Sequence, residues 1–394
     1  MIDRYRLPLW LAAEPHFNVP VVVIQSDDWG HACVDNREQH ERVLRASVDA
    51  SDAWSVDALE SNADVSSLAA LLREFRDAAG RSARLTLNFI VARPDYNAIE
   101  ASDFRAYRSI PIRPAGAFLD ALRATDPDTV FEVQLHGAEH VAPARWLRLL
   151  QEGAPDVRAY FAARAMPPPG VVARHPGLGA AYLACPDADA DGAVPGPDER
   201  VLGSLRVFSS LFSRQAQGFV PPNHAWDGSL DRLLRREGVR HLQACHVRYP
   251  TFAAAESGQW RSLRAGPERG NDLWRQTRNI DFEPVVRPDR VDAAIARACL
   301  LVARGIPAVI NTHRINYAGA IRPERAACGR ERLGDLLSAL VATRDDVHFL
   351  GSDEFDAVLR GAHPAIRRRP IAGGRSLLTD VAWATLGRQP VARH

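Results

Sequence analysis

Two adjacent carboxylates, Asp27 and Asp28, close the apolar run of "VVVIQSDDWGH", residues 21–31. Like charges side by side at the end of a buried strand repel unless a cation or a mobile proton stands beside them. Two imidazoles, His136 and His140, are spaced four apart in "QLHGAEH", which also follows a strand-like run. A helix starting there would turn both rings to one side, close enough to share an ion. One carboxylate and two imidazoles leave a divalent cation with open positions for water and substrate, as a hydrolytic metal site needs. The other carboxylate is then free to accept a proton from that water. A mixed nitrogen and oxygen set suits zinc, and other first-row divalent ions comparably.

Such residues need a scaffold that gathers them. Short runs rich in β-branched residues recur at 19–25, 84–91, 130–135, 218–221, 240–245, 307–312 and 347–350. Amphipathic stretches with helical spacing lie between them, at 65–80, 115–125, 229–238, 290–305 and 329–343. Alternation of strand and helix predicts a parallel sheet buried on both faces, hence an α/β fold. Asp27 and Asp28, His136, Asn223 and His224, His246, and His313 each follow a different strand. An incomplete seven-stranded (β/α) barrel places all of those ends around one mouth, whereas an open doubly wound sheet spreads them along a crevice. The barrel is expected to span residues 1–362, with the Pro-, Gly- and Asp-rich stretch 166–200 as an insertion or lid. Residues 363–394 read as an Arg-rich C-terminal tail.

Composition narrows the partners. The 394 residues are 46% hydrophobic and 25% charged, with a formal charge of +1, which offers no charge-based case for nucleic acid or an anionic membrane. All 49 basic residues are arginine. Five scattered cysteines without a C-x-x-C spacing suggest neither a disulfide framework nor a cysteine zinc site, and fit a reducing compartment. The apolar stretch "LPLWLAA" is shorter than a usual signal-peptide core, and no run approaches a membrane span. A cytoplasmic location and a small soluble substrate are the expectation. The oligomeric state is not encoded in any motif.

At these residues the sequence resembles the polysaccharide deacetylase superfamily of carbohydrate esterases, as a divergent branch, over most of residues 16–360. "SDDWG" and "HGAEH" fall where that family has its Asp pair and its two-histidine motif, which implies Asp27 as general base and Asp28, His136 and His140 as metal ligands. "GFVPPNHAWD" resembles the third motif, a wall of the substrate groove carrying Pro222, Asn223, His224 and Trp226. "INTHRINY" resembles the last, which implies His313 as general acid, and "TRNIDFEP" lies where a further acidic motif orients the catalytic groups. Trp29 and His246 join the expected groove. The sequence departs from the pattern in three places. Trp29 separates the Asp pair from its glycine, Gly137 replaces a hydroxyl residue, and Val220 and Pro221 stand where an arginine normally pairs with the base. Arg278 and Arg314 are the candidates to replace that arginine. The resemblance implies a metal-dependent hydrolase that removes an acetyl group from an N-acetylated sugar or glycoconjugate, with a non-sugar amide also open.

Competing patterns exist. "HGAEH" also satisfies H-x-x-E-H, an inverted zinc-peptidase motif in which Glu139 would activate water. "DADADG" sets Asp187, Asp189 and Asp191 at alternating positions, as a calcium loop does. A glycan-binding relative without catalysis is the third alternative. His16, His40, His175, His241 and His348 are expected to be structural or at the surface.

Overall fold

The computed structural model describes residues 14–46, 53–118, 129–188, 193–268 and 271–369. The main sheet among these has ten strands, numbered along the chain: β1 (Val21–Trp29), β2 (Leu85–Phe89), β3 (Phe131–Leu135), β4 (Gly218–Phe219), β5 (His241–Ala244), β6 (Gly266–Glu268), β7 (Asn271–Thr277), β8 (Ile280–Asp281), β9 (Ala308–His313) and β10 (His348–Leu350). Their order is β6-β7-β5-β4-β3-β2-β1-β9-β8, with β10 added to β1. Every pairing is parallel except β6 against β7. Two consecutive amides just after β7 link its side of this path to the β9 side. Arg278 N donates to Ala244 O beside β5, and Asn279 N donates to Val309 O on β9, both at 2.9 Å. The sheet is therefore mostly parallel and barrel-like.

All nine residues of β1 are buried. Val22 and Ile24 pack with residues of the surrounding helices, Leu68 and Leu336 among them. Val21 and Val23 join Phe355 and Val358 of the helix Ser352–Leu359. Further along the same face, Gln25 bonds to Gln276 Oε1 at 2.7 Å, and Asn88 on β2 bonds to Gln243 Oε1 on β5 at 2.9 Å. These pairs join strands that are not neighbours, so they cross the interior. The interior thus runs from an apolar floor through a layer of hydrogen-bonded amides to the carboxylates at the mouth. Burial of such groups is tolerated because their partners are supplied.

Each of the seven expected runs contains a strand, and 266–281 adds three that were not expected. The helix expected at 115–125 falls mostly outside the described residues. The stretch 166–200 is not a bare loop. It contains the helix Pro169–Arg174 and the start of the helix Pro197–Phe212. The described part of the C-terminal tail packs on the chain start, where Arg369 N donates to His16 O at 2.8 Å and Ile366 is buried. No helix among the described residues is long and apolar enough to cross a membrane. The five cysteines are free thiols.

Candidate metal centre and active site

Successive side chains on a strand point to opposite faces, so Asp27 and Asp28 should diverge. They do not, because the pairing of β1 with β2 shifts register between Ser26 and Trp29 and Asp28 adopts φ 69°. A bulge of this kind re-aims a side chain, and Asp is among the few residue types that tolerate left-handed backbone. Both carboxylates line one cavity of about 650 Å³. Gly30, at φ 77°, completes the turn, and a Cβ there would lie 2.3 Å from Ile112 Cδ1.

The helix expected to align His136 and His140 is absent; residues 136–140 form a loop. Gly137 takes φ 86°, and a Cβ at that position would lie 2.5 Å from the Tyr182 hydroxyl. That hydroxyl accepts from Ala138 N at 2.6 Å, so a tyrosine from elsewhere in the chain occupies the place of a side chain at 137. The loop sets the two Nε2 atoms 3.3 Å apart. They stand 3.3 Å (His136) and 3.2 Å (His140) from Asp28 Oδ1. His136 Nδ1 lies 2.8 Å from Val220 O, which can only accept, so Nδ1 carries the proton and Nε2 presents its lone pair. Asp28 Oδ1 is buried without a hydrogen-bond donor. An unpartnered buried carboxylate oxygen with two imidazole nitrogens converging on it is a donor set that suits a cation. Ligands about 2.0–2.1 Å from a tetrahedral zinc ion stand roughly 3.3 Å apart, so the three residues fit a divalent ion.

Asp27 has different neighbours. Arg278 grips it with both terminal nitrogens, NH1 to Oδ2 at 2.5 Å and NH2 to Oδ1 at 2.7 Å, and Asn88 Nδ2 adds a bond to Oδ1 at 2.7 Å. The remaining N–H groups of Arg278 go to Gln25 Oε1 (2.9 Å), Asn311 Oδ1 (2.6 Å) and Gln243 Oε1 (3.4 Å). All five donors of this buried guanidinium have acceptors. Burial alone would raise the Asp27 carboxyl, but the charge and hydrogen bonds of Arg278, together with the charges of His136 and His313, hold the group well below the usual carboxylate range. Of the two candidate arginines, Arg278 pairs with Asp27. Arg314, also buried, bonds to Asp28 O, His31 O and Asp57 Oδ2, and so fixes the loop after β1.

His313 ends β9, the strand on the other side of β1 from β2 and β3. Its Nδ1 bonds to Glu283 Oε1 at 2.6 Å, and Glu283 Oε2 accepts from Asn316 Nδ2 at 2.7 Å. Burial would lower the His313 pKa, but the charge and hydrogen bond of Glu283, together with the charges of Asp28 and Asp27, push it up to about 10. Trp54 meets the ring edge-on at 5.2 Å. Both Trp54 and His313 line the cavity.

Asn223 and His224 also line it, in consecutive left-handed conformations, φ 51° and 56°. Asn223 Nδ2 bonds to His140 O at 3.0 Å and Gly179 O at 2.9 Å. Burial lowers the His224 pKa to about 4. Several expected groove residues lie elsewhere. Trp29 is buried, donates to Ser26 Oγ at 3.0 Å and packs on Phe89 and Phe118. Trp226 is buried, donates to Asp231 Oδ1 at 2.8 Å and lies under Arg248. Pro222, His246 and Arg314 are likewise absent from the cavity wall. The competing motifs are otherwise engaged. Glu139 is buried against the Arg200 guanidinium, on a loop and not within a helix. Asp187 pairs with Arg145 at 2.9 Å, and Asp189 and Asp191 lie outside the described residues. Sequence reasoning passed over His31, Trp54 and Asn88. His31 stood in the opening stretch, while Trp54 and Asn88 carry no local spacing that marks them.

No family model and no curated protein matches the chain. Among solved structures, a protein from Mycobacterium smegmatis described as a polysaccharide deacetylase is 14% identical, with 92% of this chain and all of that one covered and a TM-score of 0.41. The PuuE allantoinase is 11% identical, covering 87% of this chain and 91% of that one at a TM-score of 0.42. A 4-alpha-glucanotransferase from Thermococcus litoralis is 10% identical at a TM-score of 0.41, and this chain spans 40% of its length. Polysaccharide deacetylases, which the motifs resemble, are thus among the structures matched. Likenesses this distant decide neither substrate nor reaction.

Proposed function

We propose that this chain is a metal-dependent hydrolase that removes an acyl group, acetyl in the simplest case, from the nitrogen of a small N-acylated sugar or glycoconjugate. The carrying observation is the Asp28, His136 and His140 cluster, with its unpartnered buried carboxylate oxygen, beside an ionised Asp27 in the same cavity. A divalent ion, zinc for preference, would supply Lewis acidity toward a carbonyl oxygen and acidify water.

The chain's own groups do the rest. Asp27 Oδ2 accepts only from Arg278 and keeps a lone pair for the proton of the attacking water. Arg278 and Asn88 keep Asp27 ionised and fix its direction. His313 donates Nδ1–H to Glu283, which leaves Nε2–H of the imidazolium to protonate the departing amine. Asn223 ties the His140 loop to Gly179 and so steadies one ligand. The test is amine or acetate release across a panel of N-acetylated sugars and simple amides, with and without chelator. Release that stops on chelation and returns with one ion per chain supports the reading. Release unaffected by complete metal removal refutes it.

A further inference from the structure

The cavity, about 650 Å³, has to seat the sugar as well as the acyl group, and the three heavy atoms of an acetyl fill only on the order of 100 Å³ of it. Its two sides differ in chemistry. One side carries His313, Trp54 and Asn311. Another part of the lining is formed by Val141, Met166, Pro167, Pro168, Val172 and Ala180. The six side chains of this wall are apolar. Its prolines lack an amide donor, and the carbonyls of Met166, Pro168 and Gly179 already accept from Cys33, from Val171 and Val172, and from Asn223. Of the polar side chains beside the wall, His175 bonds to Asp156 at 2.9 Å, Glu256 stands 3.6 Å from Arg145, and Tyr249 packs on the cluster that holds Ala180.

The wall is anchored on both the β1 and the β3 loops. Met166 N bonds to Cys33 O, and Ala142 N bonds to Leu178 O, which ties the segment to the loops after β1 and β3. Asn223 links it to His140. His313 is on the other flank of β1, and in the proposed reaction it marks the side of the leaving amine. The substituent on the carbonyl carbon therefore extends toward the apolar wall.

Resting on the hydrolase reading above, we infer that the acyl group removed is a medium-length aliphatic chain, bound along the Met166–Ala180 wall, rather than acetyl. The reaction balances as hydrolysis: water adds to the carbonyl carbon, the C–N bond breaks, and a fatty carboxylate and a protonated amine leave.

The experiment uses the full chain loaded with one equivalent of zinc. It compares kcat/KM for glucosamine N-acylated with acetyl, butyryl, hexanoyl and octanoyl groups, and for a second series in which acetyl is kept and the amine carries the lengthening alkyl chain. Burial of each methylene predicts roughly a fourfold gain on the acyl side through hexanoyl. Val172→Asp should flatten that gain, and Ala173→Asp, at an exposed position of the same short helix, gives the same readout should the first variant not fold. Acetyl equal to or better than hexanoyl, or a gain confined to the amine series, overturns the inference and leaves the hydrolase reading standing. No release from either series overturns the hydrolase reading itself, and the inference with it.

Discussion

Replacing Glu283 by Gln removes the anion that keeps His313 protonated while preserving side-chain shape and an acceptor for Asn316. The His313 pKa is raised to about 10, with the Glu283 carboxylate 2.6 Å from Nδ1 as the dominant favourable cause. Loss of an adjacent opposite charge lowers such a pKa by about 1–3 units. A general acid works only while protonated, so the affected limb is the basic one. With a pKa near 10, roughly 90% of the acid is protonated at pH 9, and with one near 8 roughly 9%, so kcat/KM at pH 9 should fall about tenfold. At pH 6.5 both forms are protonated and the rates should agree. The assay is the pH profile of kcat/KM for both proteins at matched metal content, in which the difference between basic limbs is the readout. Coincident limbs, or a loss equal at every pH, would refute the assignment of His313 as an acid tuned by Glu283.

Asp27→Asn and His313→Ala should each retain the metal yet lose about a hundredfold or more in kcat, the usual scale for acid–base assistance, as checked by parallel metal analysis and rate measurement. Arg278→Gln strands the buried Asp27 carboxylate, so it should cost about 3–5 kcal/mol of stability in denaturant unfolding. It should also bring an acidic limb into the measurable range as the Asp27 pKa rises. Burial lowers the His246 pKa from 6.5 to about 4. The unfolded chain therefore binds the extra proton first, and this group's contribution is present above pH 6.5 and lost as pH falls toward 4. His246→Gln should make the unfolding free energy between pH 7 and pH 5 less pH-dependent, by about 2 kcal/mol.

Much of the site was legible because its residues occupy strand ends, where an apolar run stopping on charge is conspicuous. Asp27, Asp28, His136 and His313 belong to that class. The means of assembly were not legible. A helix was expected to align His136 and His140, and a glycine loop packed on Tyr182 does it instead, through a contact 45 residues away in the chain. The strands β7 and β8 escaped notice because "NDLWRQTRNID" is polar, and periodicity reads apolar faces. Their inward residues are polar because the barrel interior at that level is a hydrogen-bonded layer of Gln25, Asn88, Gln243 and Gln276. Arg278, one of the two arginines expected beside Asp27, follows β7 directly and makes that pair. Trp29 and Trp226 misled in the opposite direction. A tryptophan near a motif invites reading as a sugar platform, but a large apolar ring with one donor is as readily satisfied inside, by Ser26 for the first and Asp231 for the second.

The central claim is that Asp28, His136 and His140 hold one divalent ion. Metal content of the dialysed full-length protein after zinc loading, compared with His136→Ala, tests it directly. One ion per chain in the native protein and a loss of that ion in the variant is the predicted result. No bound ion in the native protein, or full occupancy in His136→Ala, would contradict it.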